Sequence, residues 1–300
     1  MPSWLSALFH PFLIALATVV AGLHHLITAL GADPGSSTTW LATVVGLVVV
    51  VRISLLPLVI RQVRLAHAGA RARPAIEAIR RRHAGRTDPD SVRRQYAELR
   101  QVRAEHGIGL LAGLPMLLQL PVMLALFRVV TDVAAGITVG PLTADLIASA
   151  RAADVLGAGL GARLTSVGFW PDGVVLVAIT VITAVVTYLT HRYLLTANLP
   201  RTTAGPGSPS TYSARSARSA RSAQSRAPEL PIDPEQVSAM MMRVMPTIAA
   251  IGILASGTVL PLGVLIYWFT SALWTAGQQA VINRWAPTPG SPAFERAGSR

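Results

Sequence analysis

Residues 41–60 read LATVVGLVVVVRISLLPLVI, an apolar stretch that carries a single charge at Arg52. About 20 predominantly apolar residues are what a helix needs to cross a hydrocarbon layer of ~30 Å. Twelve arginines then follow between Arg61 and Arg103. An ionisable side chain inside a membrane-length segment indicates a functional site, because its placement there is unfavourable without a partner or water.

The rest of the chain has the composition of a membrane protein. Of its 300 residues, 52% are hydrophobic and only 13% are charged. The apolar residues occur in blocks of roughly 20, each about one membrane crossing, and the arginines lie between the blocks. The distribution predicts an all-α, polytopic membrane protein.

The charge of the chain is strongly positive, with a formal net charge of +12, and every one of its 26 basic residues is arginine. The basic residues flank apolar blocks, which is the bias of cytoplasmic loops in membrane proteins. No zinc-finger spacing or basic platform with interleaved aromatic residues favours a specific nucleic-acid partner. The chain has no cysteine, which excludes disulfides and thiolate metal sites.

The apolar blocks predict five spans in the cell membrane. The arginine bias predicts that the N-terminus lies outside and the C-terminus lies in the cytoplasm. The predicted segments are an N-terminal interfacial helix with its external linker (1–39), span one (40–60), a cytoplasmic helical hairpin (61–107), span two (108–130), an external connection (131–169), span three (170–195), a disordered Arg/Ser/Ala-rich cytoplasmic loop (196–238), span four (239–257), span five (262–283) and a cytoplasmic tail (284–300).

The N-terminal segment is predicted to lie on the membrane because its uninterrupted apolar stretch runs only from Phe12 to Leu23. His10 and His24 are 14 positions apart and would lie within about 40° of each other on a helix. We therefore expect both histidines on the wet face of an amphipathic helix.

The hairpin at 61–107 is predicted to contain two polar helices. Thr87 is a candidate N-cap of the second helix, with Asp90 at the capping-box position. Two four-residue spacings predict surface ion pairs, Glu77 with Arg81 and Arg94 with Glu98.

Arg52 requires a specific environment. It lies ~18 Å along the helix from the predicted outer end at Trp40, too far for its side chain to reach that surface. Placing it against lipid costs roughly 2.5 to 3.5 kcal/mol on insertion scales. No acidic residue lies in the interior of a predicted span. The sequence leaves two interpretations: a structural arginine bonded to backbone carbonyls, or a hydrated groove whose positive charge meets a visiting anion.

Further polar side chains occur within the spans, and each could bond across helices or line a groove. They are Gln119, Thr180, Thr183, Thr187, Thr270, Ser271, Thr275, Gln278 and Gln279. Pro57, Pro115, Pro121 and Pro261 are expected to kink or end helices near them. The sequence has no HExxH, GxSxG or Walker motif and no paired carboxylates within the spans, so no catalytic residue, cofactor or metal is predicted.

Three blocks resemble one known pattern: VVVVRISLLPLVIRQVR, HGIGLLAGLPMLLQLPVMLALFRVV and VLPLGVLIYWFTSALWTAGQQAVINR. Their order and spacing are similar to those of the YidC family of membrane protein insertases, the bacterial branch of the Oxa/Albino insertases. The composition suggests a divergent member of the high-GC Gram-positive type. The family's Asn-Pro before the second span is replaced here by Gly109-Leu110.

The resemblance implies a five-helix insertase core with a hydrophilic groove that is open to the cytoplasm and to lipid and closed to the outside. It implies nascent membrane proteins as substrates, the lipid bilayer as surroundings, the Sec translocon and the ribosome as candidate partners, and no nucleotide hydrolysis. The residues expected to contact substrate in the groove are Arg52, Gln119, Thr183, Tyr267, Trp268 and Ser271.

Two alternatives stay open. A small-anion transporter or channel could use Arg52 as its binding charge, although no inverted repeat is apparent in the sequence. A passive assembly chaperone would hold membrane-protein helices without translocating their tails.

Overall fold

The protein is mostly helical, as predicted. The computed structural model describes residues 3–84, 88–108, 114–155, 157–171, 173–199 and 234–298. Within those ranges, the one pair of β-strands is β1 (Asp154–Val155) and β2 (Ala158–Gly159), which are antiparallel. Most of the predicted disordered loop, residues 200–233, lies outside the described residues.

The helices follow the order of the predicted segments. They are α1 (Ser3–Ala29), α2 (Ser37–Ser54), α3 (Leu56–Arg82), α4 (Pro89–Glu105), α5 (Leu114–Ala135), α6 (Ala144–Ala152), α7 (Leu164–Val167), α8 (Gly173–Leu189), a π-helix (Thr190–Leu195), α9 (Pro234–Gly257), α10 (Leu262–Trp285) and α11 (Pro292–Gly298).

The first predicted span is interrupted. Helix α2 begins after Ser36, whose hydroxyl accepts a hydrogen bond from the Thr39 amide, and ends at Ser54. Pro57 is the second residue of α3. Proline has no N–H to donate to the carbonyl four residues earlier, so the predicted effect of Pro57 on the helix is confirmed. Predicted span one therefore contains the end of α2 and the start of α3, and its bounds of 40–60 stay a prediction.

Three described helical segments are long and apolar enough to cross a membrane, judged by length and composition: His10–Ala29, Ser37–Ser54 and Gly173–Leu195. The second and third correspond to predicted spans one and three. Predicted span four contains a shorter apolar helix, Val244–Gly257, and span five is helical as Leu262–Trp285. The count of five spans, and the interfacial position of α1, stay predictions.

The chain divides into two compact units. The first contains Met1–Ile60, Gly113–Tyr193 and Met245–Ala280. Its core is built from α1, α2 and α5, together with residues of the connection before α8 and the start of α10. The largest fully buried side chains there include Leu126, Leu142, Leu176, Leu262 and Leu265. Such a dry, apolar core fixes the helices that carry the polar site.

Helix α1 packs into the first unit along one face, where Leu16, Ala17, Val20 and Ala21 are buried. The expectation that His24 lies on the wet face was wrong. Its ring is only 1% exposed and packs edge-on against Trp40, with ring centroids 4.3 Å apart. A helix that docks on protein buries whichever side chains face its neighbour, including a polar one.

The predicted external connection is folded against the start of α2. The Trp40 Nε1 donates a hydrogen bond to the Ser149 hydroxyl of α6 at 3.0 Å. The Ser149 hydroxyl donates in turn to the Pro34 carbonyl at 3.0 Å. The apolar periodicity of the short helix α6 was too weak for the sequence to predict that this connection folds against α2.

The second unit contains Arg61–Ala112, Leu194–Val244 and Val281–Arg300. Its helical hairpin consists of most of α3 and all of α4. Asp88 caps α4 by accepting a hydrogen bond from the Ser91 amide at 2.8 Å. The predicted cap Thr87 lies outside the described residues.

The ion pairs of the hairpin differ from those predicted. Glu98 accepts from Arg82 at 3.1 Å and pairs with His83 at 3.2 Å, whereas Glu77 pairs with Arg73. The four-residue rule identified both carboxylates but chose the wrong partners, because Glu98 faces the other arm of the hairpin and Glu77 has a basic neighbour on each side.

Candidate functional site: a polar cavity beside Arg52

Arg52 lies in the last turn of α2. The last carbonyls of a helix have no intrahelical partner and carry partial negative charge, which stabilises a cation by ~0.3 to 1 kcal/mol near a surface. The break at Leu55 therefore offsets part of the cost that a mid-span arginine would have. The sequence showed Pro57 but not that α2 ends so close to Arg52.

The Arg52 guanidinium reaches across the unit to α10. Its Nη2 donates to the Ser271 hydroxyl and lies 3.5 Å from the Ser271 carbonyl oxygen. Tyr267 lies one turn earlier on α10 and is buried. Arg52 is thus held by neutral polar groups.

No carboxylate pairs with Arg52 in the part of the chain that the structure describes. The ion pairs among those residues join Arg73 to Glu77, Glu98 to Arg82 and His83, and Arg128 to Asp132. The half-buried Arg52 therefore retains its positive charge without an internal counter-charge. Arg52 is therefore available to pair with a carboxylate of a molecule that enters the site.

A cavity of about 320 Å³ adjoins this arginine through Ser271. It lies between α8 with its π-helix, α9 and α10. The described residues that line it are Thr183, Thr187, Thr190, His191, Ala249, Ile253, Tyr267, Trp268, Ser271, Ala272 and Thr275. The volume is large enough for several water molecules, since one water occupies ~30 Å³ in the liquid.

The threonines of the cavity present acceptors more than donors. Thr183 donates its hydroxyl hydrogen to the Ile179 carbonyl, Thr190 to Val186 and Thr275 to Ser271. A hydroxyl that donates to its own helix keeps lone pairs for another group. These oxygens can accept from water or from peptide N–H groups, while Arg52 supplies donors and charge.

Most of the predicted groove residues meet at this cavity. Thr183, Tyr267, Trp268 and Ser271 line it, and Arg52 bonds to one of its walls. Gln119 belongs to α5, but its side chain lies outside the described part of the structure. Thr190 and His191 also line the cavity, although neither was predicted as a groove residue. The four-residue spacing of Thr183, Thr187 and His191, which places them on one helix face, was the available signal.

Arg128 is a second charged residue within a predicted span, near the end of span two. It donates from Nε to the buried Asp132 carboxylate at 2.9 Å, four residues later in α5. Since its charge is neutralised locally, Arg128 differs from Arg52. Among the described residues, no group of three or more His, Asp or Glu side chains could hold a metal ion.

One end of the first unit is joined by backbone hydrogen bonds. The Leu262 amide donates to the Ala162 carbonyl and the Gly263 amide donates to the Leu160 carbonyl, each at 2.9 Å. These bonds tie the start of α10 to the connection before α8. The Trp40–Ser149 bond ties the same connection to the start of α2.

Comparison with known proteins identifies the relatives of this chain. The family described as 60Kd inner membrane protein matches residues 34–289. A membrane protein insertase YidC from Streptomyces avermitilis is 31% identical, over 96% of this chain and 61% of the relative. One from Tropheryma whipplei strain Twist is 32% identical over 95% and 86%, and one from Mycobacterium tuberculosis strain H37Rv is 26% identical over 82% and 65%. The chain therefore spans about three fifths of the length of the Streptomyces relative.

Proposed function

The chain belongs to the YidC family of membrane protein insertases, and we propose that it inserts and helps to fold membrane proteins through a hydrophilic groove at Arg52. The observation that carries the proposal is a half-buried arginine that pairs with no carboxylate among the described residues and is bonded to the wall of a polar cavity. Nascent membrane proteins are the proposed substrates, and the Sec translocon and the ribosome are proposed partners.

The groove lowers the barrier that a polar tail meets in a membrane. A carboxylate at the centre of a bilayer costs roughly 2.5 to 3.5 kcal/mol on insertion scales. Water and hydroxyl groups in the cavity replace part of its hydration, and Arg52 adds a favourable charge interaction. An acidic tail then crosses a shorter apolar distance than it would in lipid alone.

The apolar helix of the substrate supplies the driving force. Burial of apolar surface contributes about 25 cal/mol per Å², without nucleotide hydrolysis or a covalent step. The proposed path into lipid follows spans one and three. Support comes from the exposed apolar side chains of these segments, Ile53 on α2 and Val181, Ile182 and Val185 on α8, which offer a surface for a sliding helix.

We propose that the groove opens to the cytoplasm and is closed to the outside. The arginine bias supports this orientation. The layer that contains α6 and the β1–β2 ladder follows the predicted outer end of span two, and it is bonded to the starts of α2 and α10. In this orientation those bonds form the outer seal.

Helix α1 is proposed to lie across that outer end. Its residues Ile14 and Ala17 lie against Gly140, which follows α5, and His24 lies against Trp40 near the start of α2. Gly140 and Trp40 both lie near predicted outer ends of spans. The positions on α1 that contact them are nevertheless about 10 residues, or ~15 Å of helix, apart. A helix crossing the bilayer would not keep both contacts on one side.

The hairpin is proposed to receive substrates in the cytoplasm. Its second arm, α4, is joined to the end of α3 through Glu98, with Arg82 and His83 as the partners. The exposed arginines of the two arms would attract acidic segments over about a Debye length of ~8 Å at physiological salt.

Reconstitution tests the function directly. Proteoliposomes with the full chain should protect the tail of a single-span substrate from external protease, and empty vesicles should not. Crosslinking to the substrate without tail protection would indicate a passive chaperone. Flux of a small anion without tail protection would indicate a transporter or channel, and either result would overturn the proposal.

A further inference from the structure

His191 lines the cavity from the opposite wall to α10 and has no role in the groove described above. It stands in the π-helix Thr190–Leu195 that continues α8. Its ring is half-buried, and none of the described residues forms a hydrogen bond with either ring nitrogen. π-Helical turns are rare and occur frequently at functional sites.

The surroundings of His191 are polar but hold no competing anion. Across the cavity, Tyr267 is the other titratable side chain among the described lining residues, and α9 contributes Ala249 and Ile253. Arg52 is held at the wall through Ser271. On the same element, the Arg192 guanidinium lies 5.9 Å from the centre of the Tyr193 ring. No acidic side chain is present among the described lining residues to fix a proton on His191.

We propose that His191 is a second, titratable cation of the groove, which binds carboxylates of an incoming acidic tail and makes its insertion pH-dependent. This inference rests on the proposed insertase function. Histidine changes charge near neutral pH, whereas arginine stays charged and substrate Asp and Glu are ionised above about pH 5. As pH falls from about 8 towards 5, the groove gains a second positive charge while most carboxylates of the tail stay ionised.

The substrate class that benefits is therefore a tail with two or more carboxylates. One carboxylate of the tail can pair with Arg52 throughout this pH range, because arginine stays charged. A second carboxylate gains a partner only when His191 is protonated. Tails with a single acidic residue, or with amides in place of carboxylates, should respond much less to pH.

The test measures tail protection in proteoliposomes between about pH 5 and pH 8, the range over which histidine changes charge. It uses a substrate with two aspartates in its tail and a matched substrate with two asparagines. For the wild-type chain, insertion of the acidic substrate should rise several-fold at the lower pH, and insertion of the amide substrate should change little. His191→Gln should remove the rise, and His191→Arg should keep insertion high at both pH values. His10→Gln, at an exposed site on α1, is the control and should behave like the wild type.

The comparison of substrates separates tail recognition from an effect on lipid headgroups, since a lipid effect would change both substrates alike. An unchanged pH response in a folded His191→Gln variant would overturn the inference while leaving the insertase function intact. If proteoliposomes with the wild-type chain protect neither substrate tail from protease, the proposed insertase function is wrong. Should His191→Gln not fold, a photoreactive residue at Thr187 in the otherwise wild-type chain supplies the measurement. Its crosslinks to the two-aspartate tail should increase at the lower pH, and a pH-independent yield would contradict the inference.

Discussion

The Arg52 guanidinium donates a hydrogen bond to the Ser271 hydroxyl and thereby joins the end of α2 to the middle of α10. A hydrogen bond to a charged group contributes ~1.5 to 3 kcal/mol. Here it also fixes the direction in which the positive charge faces. The bond connects two segments that are 219 positions apart in the chain, so the orientation of the charge depends on tertiary packing.

Replacement of Ser271 by Ala should reduce insertion of an acidic tail less than loss of Arg52 does. The charge remains, but it loses the partner that orients it, and a several-fold reduction is expected. The tail-protection assay measures this effect. Ser256→Ala is the matched control, because the Ser256 hydroxyl bonds only to the Gly252 carbonyl of its own helix on an exposed face. Equal insertion by Ser271→Ala and the wild type would show that this bond does not position the charge.

The Trp40–Ser149–Pro34 chain should stabilise the first unit. Ser149→Ala removes the acceptor of the Trp40 indole and the donor to the Pro34 carbonyl. Leaving these groups unpaired should lower the free energy of unfolding by ~1 to 3 kcal/mol. Thermal unfolding in detergent, with Trp fluorescence as the signal, measures the change. The control Ser54→Ala removes one bond from a hydroxyl to its own helix and should shift the midpoint much less; equal shifts would contradict the account.

Gly257 marks a close approach of α9 to α8. A Cβ at this position would overlap the side chain of Thr180, which is buried and β-branched and so has little freedom to move. Gly257→Ala should therefore destabilise the protein by ~1 to 3 kcal/mol. Gly252→Ala lies on the same helix with no atom within 4 Å of the new Cβ, and it should be neutral or stabilising. A Gly257→Ala variant as stable as Gly252→Ala would exclude the close packing of these helices.

His24 is a buried polar side chain whose two ring nitrogens have no hydrogen-bond partner among the described residues. Burying a polar group without a partner costs ~1 to 3 kcal/mol by mutational measurements. His24→Phe keeps an aromatic ring against Trp40 and should raise the unfolding midpoint. The exposed neighbour supplies the control, His25→Phe, which should have little effect. A lower midpoint for His24→Phe would indicate that the imidazole has a polar role that the packing does not reveal.

The sequence predicted the helical class and four residues that line the polar cavity, Thr183, Tyr267, Trp268 and Ser271. Apolar blocks of span length identified the segments, and the motif around Tyr267 and Trp268 identified one wall. The end of α2 beside Arg52 was harder to predict, since Pro57 is compatible with a kink, a break or a helix start. The burial of His24 and the partners of Glu98 could not be predicted, because each depends on which helix packs against which.

His191 shows the same limit at the site itself. Its spacing from Thr183 and Thr187 was visible in the sequence, but its position after the apolar part of α8 suggested only a polar helix end. The cavity wall depends on the approach of α9 and α10, which long-range packing decides. Periodicity gives the face of a helix, whereas the neighbour of that face is a property of the fold.

The proposed insertion of acidic tails depends on the positive charge of Arg52, so replacement of this residue is its most direct test. Tail protection should be measured for wild type, Arg52→Ala, Arg52→Lys and the control Arg163→Ala, an exposed arginine in the connection before α8, each with an acidic tail and with its amide counterpart. We predict that Arg52→Ala reduces insertion of the acidic tail by about tenfold, equivalent to ~1.4 kcal/mol, with a much smaller effect on the amide tail. Arg52→Lys should retain most activity because it keeps the charge, and Arg163→Ala should resemble the wild type. Undiminished insertion of the acidic tail by a folded Arg52→Ala variant would contradict the account.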